Sequence, residues 1–107
     1  MSKAKKIRVV IKNVNENGKV VEVDNELQTF QNIVNGHIQT YPFVNGMLII
    51  CNEEGKLMNL EENFSIPLSD GYVEQIVGNV IFVSMDGDEF ASLSDENISF
   101  LGFIGVC

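Results

Sequence analysis

Groups that carry chemistry are scarce in this chain. Histidine occurs once, at His37, and cysteine twice, at Cys51 and Cys107. Two cysteines do not make a disulfide scaffold. One histidine without a nearby cysteine or second histidine is a poor metal site. The sequence contains no GxSxG, no HExxH, no CxxC and no phosphate-binding glycine loop. These gaps argue against an enzyme and give no reason to expect a cofactor or a metal. No run of about 18 apolar residues occurs, so no membrane-spanning helix is expected. The basic start, Lys3, Lys5 and Lys6, leads into Ile7-Arg8-Val9-Val10-Ile11-Lys12, which is charged and too short for the apolar core of a signal peptide. The expected location is the cytoplasm.

Positive charge is the remaining shortage. Lys3, Lys5, Lys6, Arg8 and Lys12 fall within the first twelve residues, with no acid among them. From Val20 to Cys107 there are fourteen acids and one base, Lys56, a net of −13 over 88 residues. Such a body repels nucleic-acid phosphates at long range, so direct nucleic-acid binding is not expected. It attracts basic partners, including the nucleic-acid-binding faces of other proteins. Solubility alone also accounts for an acidic surface.

What is present is patterned for a small α+β domain, residues 1–107, with a mainly antiparallel sheet and two short helices. Apolar residues make up 45% of the chain, enough for one core. Ile7–Lys12 and Lys19–Val23 alternate as strands around Asn17-Gly18, a hairpin signal. Asp24 or Asn25 is placed to cap a helix, with Glu26 in its first turn. Leu27, Phe30, Ile33 and Val34 recur at helical spacing, and Gly36 is a stop signal. Pro42 argues that the His37–Phe43 strand lies at a sheet edge or ends early. Asn45-Gly46 turns into Met47–Cys51. Leu57–Leu60 reads as a short strand or one helical turn. Glu61–Tyr72, with Pro67, Ser69, Asp70 and Gly71, reads as an irregular loop. Val73–Val77 is ambiguous between helix and strand. Val80–Met85 is the clearest central strand, and Glu89–Ser92 can pair back on it. Ser94 caps a last helix near Asp95–Phe103. The expected core is Val9, Val21, Phe30, Ile33, Ile49, Ile81 and Val83. The apolar tail Phe100–Val106 either packs back on the sheet or forms a homodimer contact, and the edge-discouraging Pro42 favours the contact.

Several constellations suggest chemistry, but each has a plainer reading. Asp86-Gly87-Asp88-Glu89 lacks the ligand spacing of a calcium loop and reads as a tight turn. Cys51 and His37 are the materials of a thiol dyad, yet Cys51 ends an apolar strand, where burial suppresses thiolate formation. Glu53-Glu54 and Glu61-Glu62 are paired acids around a glycine turn, a setting of solvated charge rather than a glycosidase cleft.

The stretch Cys51-Asn52-Glu53-Glu54-Gly55-Lys56-Leu57-x-x-Leu60-x-x-Asn63 resembles the central motif of a small family of unknown function. Ile33-Val34-x-Gly36-x-Ile38, Ile76-Val77-Gly78, Phe82-Val83, Asp86 and Phe90-x-Ser92-Leu93-Ser94-Asp95-Glu96 extend the likeness over most of the chain. Members usually carry proline before the asparagine that matches Asn63, where this chain has Glu62. The resemblance implies a setting in phages, plasmids and conjugative elements of Gram-positive bacteria, and no particular activity. Size, charge and setting together lead us to expect a non-catalytic accessory protein that binds a host protein with a basic surface. A small-ligand module that sequesters a nucleotide signal is the alternative. The expected binding patch is Asn52, Glu53, Glu54, Lys56 and Asn63, gathered on one exposed surface. Asparagine side chains also bond backbone groups, so Asn52 and Asn63 have a second reading as turn-formers.

Overall fold

Val80-Ile81-Phe82-Val83 is apolar at every position, so a strand built from it needs cover on both faces. All four are buried in the computed structural model, which describes residues 5–67 and 70–107. The strands are β1 (Lys6–Lys12), β2 (Lys19–Asp24), β3 (Ile38–Pro42), β4 (Met47–Asn52), β5 (Glu62–Pro67), β6 (Val73–Val77), β7 (Val80–Asp86) and β8 (Glu89–Ala91). The helices are α1 (Leu27–Val34) and α2 (Asp95–Phe103). β7 lies at the centre of the main sheet, in the order β2-β1-β7-β4-β3, with β8 also paired to β7. Every pairing is antiparallel.

Strand alternation divides the apolar residues between two cores. Val9, Ile50, Ile81 and Val83 point to one face, where Phe30 and Val34 of α1 cover them. Val10, Ile49, Cys51 and Phe82 point to the other, under Ile66 and Ile76 of β5 and β6 and Leu101 of α2. Phe30 meets Phe90 edge-on at 5.3 Å, and Phe64 stacks on Phe82 at 5.6 Å. Of the expected core, Val21 and Ile33 are only half-buried, because β2 is a sheet edge and Ile33 flanks the contact line of its helix. β3 is the other edge and ends at Pro42.

The largest departure from expectation is at Glu61–Tyr72. Glu62–Pro67 is a strand and pairs with Val73–Val77 as a separate two-stranded sheet. Phe64 and Ile66 alternate with Asn63 and Ser65, so the period of two is present but short. Pro67 sits at the strand end, where the missing N–H costs little. Ser69, part of the expected loop, lies outside the described residues, as do Met1–Ala4 of the basic start. Leu57–Leu60 forms no strand: Met58 N–H donates to Glu54 O at 3.0 Å and Leu60 N–H to Gly55 O at 3.0 Å, which closes a run of turns.

Smaller corrections share one cause, long-range contacts claiming residues that look like local punctuation. In the first hairpin the left-handed residue is Asn15 (φ 61°), not Gly18. Gly18 is needed for close approach: its N–H donates to Val106 O at 2.6 Å, and a Cβ there would lie 2.8 Å from Val10 Cγ1. α1 is capped by neither Asp24 nor Asn25. Glu26 is its N-cap residue and makes no side-chain cap, Asp24 pairs with Lys6, and Asn25 Nδ2 donates to Phe90 O. The left-handed C-cap of α1 is Asn35 (φ 65°), not Gly36. α2 starts as expected: Ser94 Oγ accepts from Asn97 N–H, and Asn97 Oδ1 accepts from Ser94 N–H. In the tail, Leu101 and Val106 are buried while Phe103 stays 87% exposed, so the segment packs back and still shows an apolar side.

Candidate functional site

β3 and β4 pair so that Gln39 lies opposite Cys51 and Tyr41 opposite Ile49. These residues share the face covered by β6. The chain then leaves β4 through Asn52, whose Oδ1 accepts from Glu54 N–H at 2.8 Å. That bond starts the turn. Gly55 presses the turn onto β6, where a Cβ would come within 2.7 Å of Val77 Cγ2. Lys56 is thereby carried to Glu74. A small cleft of about 80 Å³ lies between the turn and the strands. At that size it has room for water but not for a ring such as benzene, which takes a cavity of about 150 Å³.

Polar contacts in the cleft converge on one carboxylate oxygen. Lys56 Nζ donates to Glu74 Oε1 at 2.9 Å, and Tyr41 Oη donates to the same oxygen at 2.9 Å. These two hydrogen bonds, that from Lys56 first, hold the Glu74 carboxyl below its usual range. Burial, then the bond to Glu74, pushes the Tyr41 phenol up to about 12. Burial also raises the Cys51 thiol to about 11, so it is protonated at neutral pH and poorly nucleophilic. A general acid needs a carboxyl raised toward neutrality, and Glu74 is moved the other way. The triad fixes the turn on the hairpin.

The five expected site residues separate. Glu53, Glu54 and Lys56 line the cleft and are exposed. Asn52 also lines it, but it is buried at 5% exposure and is not part of an exposed patch. Its Nδ2 donates to Val34 O at 3.0 Å and Asn35 O at 3.2 Å, closing the end of α1. Asn63 is elsewhere: its Nδ2 donates to Lys12 O and Gly78 O, each at 2.9 Å, and its Oδ1 accepts from Lys12 Nζ at 2.7 Å. Asn52 is a turn-former through Glu54 N–H, whereas Asn63 forms no local turn and joins distant backbone segments. Tyr41 and Glu74 went unnoticed in the sequence. Neither has a local signal, because they are 33 residues apart and meet only through the β5–β6 hairpin.

Around the cleft the connection Glu53–Glu62 presents Glu53, Glu54, Glu61 and Glu62, all exposed. Its one base, Lys56, is committed to Glu74. At its apex Leu57 is 83% and Met58 51% exposed. Among the described residues no group of three or more His, Cys, Asp or Glu is placed to hold a metal. No helix there is long and apolar enough to cross a membrane.

The class these features define is a small α+β domain with a helix on one face of an antiparallel sheet and a hairpin and second helix on the other. The chain belongs to the family described as Domain of unknown function (DUF3846), whose model matches residues 7–102. No curated protein and no solved structure matches it.

Proposed function

We propose that this protein is a non-catalytic accessory protein of a phage or mobile element, and that its acidic surface binds a basic host protein, inhibiting a defence system. The observation that carries this reading is the unneutralised charge. Of the fourteen acids from Glu22 to Glu96, twelve are exposed and the other two, Asp24 and Glu74, half-exposed. Among the described residues only Asp24, Glu74 and Asp95 of these have a basic side chain within ion-pair distance. Carboxylates held apart from counter-charges are free to meet those of a partner, where complementarity speeds encounter and selects the partner. The Glu53–Glu62 connection is the strongest stretch, since it sets Leu57 and Met58 between two acid pairs. A basic surface with an apolar recess is the shape this fits.

The test is a pull-down from host lysate with the wild-type protein, Glu53→Lys/Glu54→Lys and Leu57→Ser. The expected result is a basic protein retained by wild type, released by added salt and lost with the charge reversal. Exposed positions of this kind should hold stability within about 0.5 kcal/mol, so folding is not in question. Retention of the same protein by wild type and double variant alike refutes this surface as the site. No retained protein at low salt, with no defence phenotype, refutes the function.

A further inference from the structure

A second cleft lies on the hairpin face. It measures about 200 Å³ and is lined mainly by Lys12, Phe43, Phe64, Ile66, Ile104 and Val106. Phe43 and Phe64 are half-buried, each against the fully buried ring of Phe82, at 5.7 and 5.6 Å. Their uncovered sides face the opening. Lys12, the last residue of β1, stands at the rim. Lys6, Arg8, Lys19 and Lys56 each hold a carboxylate, but among the described residues Lys5 and Lys12 hold none. The Lys12 ammonium is positioned instead by a neutral group, Asn63 Oδ1, at 2.7 Å. Asn63 is in turn anchored through its Nδ2 to Lys12 O and Gly78 O. An ammonium has three N–H donors, and Asn63 takes one of them.

We propose that this cleft is a binding site for a small aromatic monocarboxylate. The ring lies against Phe43 and Phe64, and the carboxylate accepts from the two remaining Lys12 donors. Size supports the class: an apolar cavity of about 150 Å³ binds benzene, so 200 Å³ takes a one- or two-ring acid. Charge supports it too. The acidic body repels polyanions, so a ligand that stays must carry little charge and much apolar surface. The cleft shares no lining residue with the proposed partner surface.

The test is a ¹⁵N NMR titration with indole-3-carboxylate and its neutral counterpart, indole-3-carboxamide. The proteins are wild type, Lys12→Met, Lys12→Arg and Ile104→Trp. Ile104 is 43% exposed at the rim, so a tryptophan there fills the cleft without entering the core. The expected result is saturable shifts at Phe43, Phe64–Ile66 and Ile104–Val106 in wild type. Lys12→Met should weaken the carboxylate by about tenfold and leave the carboxamide unchanged, as loss of a charge-assisted hydrogen bond implies. Lys12→Arg should retain the preference for the acid, and Ile104→Trp should abolish both. Absence of saturable shifts in wild type overturns the proposal. So does equal affinity of wild type and a folded Lys12→Met for the carboxylate. Shifts at these residues that grow with protein concentration and resist ligand overturn it as well, by giving the cleft to a second copy. Should Lys12→Met fail to fold, the acid-against-amide preference in wild type and its loss in Ile104→Trp decide the matter.

Discussion

Replacing Asn52 by alanine separates a structural asparagine from a binding one. Its side chain makes four hydrogen bonds: Nδ2 to Val34 O, to Asn35 O and, at 3.7 Å, to Met58 Sδ, and Oδ1 from Glu54 N–H. The bond to Val34 O is buried, and its loss leaves a helix-end carbonyl without a partner, at about 1–3 kcal/mol. Asn35 O and Glu54 N–H are part-exposed and regain water, so each costs about 0.5 kcal/mol, near the low end for a net hydrogen bond, and the long contact to the weak acceptor Met58 Sδ adds little. The expected loss is about 3 kcal/mol. With a urea slope of about 1.5 kcal/mol/M, the unfolding midpoint falls by about 2 M and the slope stays the same. Urea denaturation followed by circular dichroism measures it. Asn52→Asp is the companion, because it keeps the acceptor for Glu54 N–H but turns a carboxylate toward two carbonyls. It should destabilise at least as much as alanine. A midpoint shift under about 0.5 M for Asn52→Ala would refute the joining role and return Asn52 to the list of contact residues.

Phe30→Ala empties the centre of the α1 core and removes the edge-on contact with Phe90, so it should cost about 3–5 kcal/mol in the same assay. A loss below about 1 kcal/mol would mean that the helix face is wrongly placed. With a disulfide reagent at neutral pH, native protein should yield one thiol, the exposed Cys107, and release the second, Cys51, only on unfolding. Two thiols reacting together without denaturant would contradict the burial of Cys51. Lys56→Met should raise the Glu74 carboxyl toward the ordinary 4.5, read by NMR titration. Because the folded value is depressed, the stabilisation is full above 4.5 and fades as pH falls through the folded value. The stability gap between wild type and Lys56→Met should therefore close on acidification, and a pH-independent gap would sink this account.

Sequence period was enough for the elements that carry their own signal. Val80–Met85, apolar at almost every position, has to be a central strand. Phe30 and Val34 have to share the buried face of a helix, though Leu27 at the same period is 57% exposed, and Ser94 beside Asp95 and Glu96 has to start a helix. Pro42 has to sit at a sheet edge or a strand end. Each of these follows from side chains within one turn or one pleat of each other, so neighbours along the chain suffice. The excess of acid is likewise a property of composition, and folding only displays it.

Tertiary structure decided what the polar residues do. Asn52 and Asn63 look alike beside the same turn, but one closes α1 from inside the fold and the other holds Lys12, 51 residues away. The Tyr41–Glu74–Lys56 contact and the apolar cleft beside Lys12 both depend on the β5–β6 hairpin, whose strands were too short and too polar to stand out. A hydrogen bond needs its partner within about 3 Å and correctly aimed, and that is settled by register and packing between distant segments. Burial period is a local property of a sequence, whereas the partner of a buried polar group is a property of the folded chain.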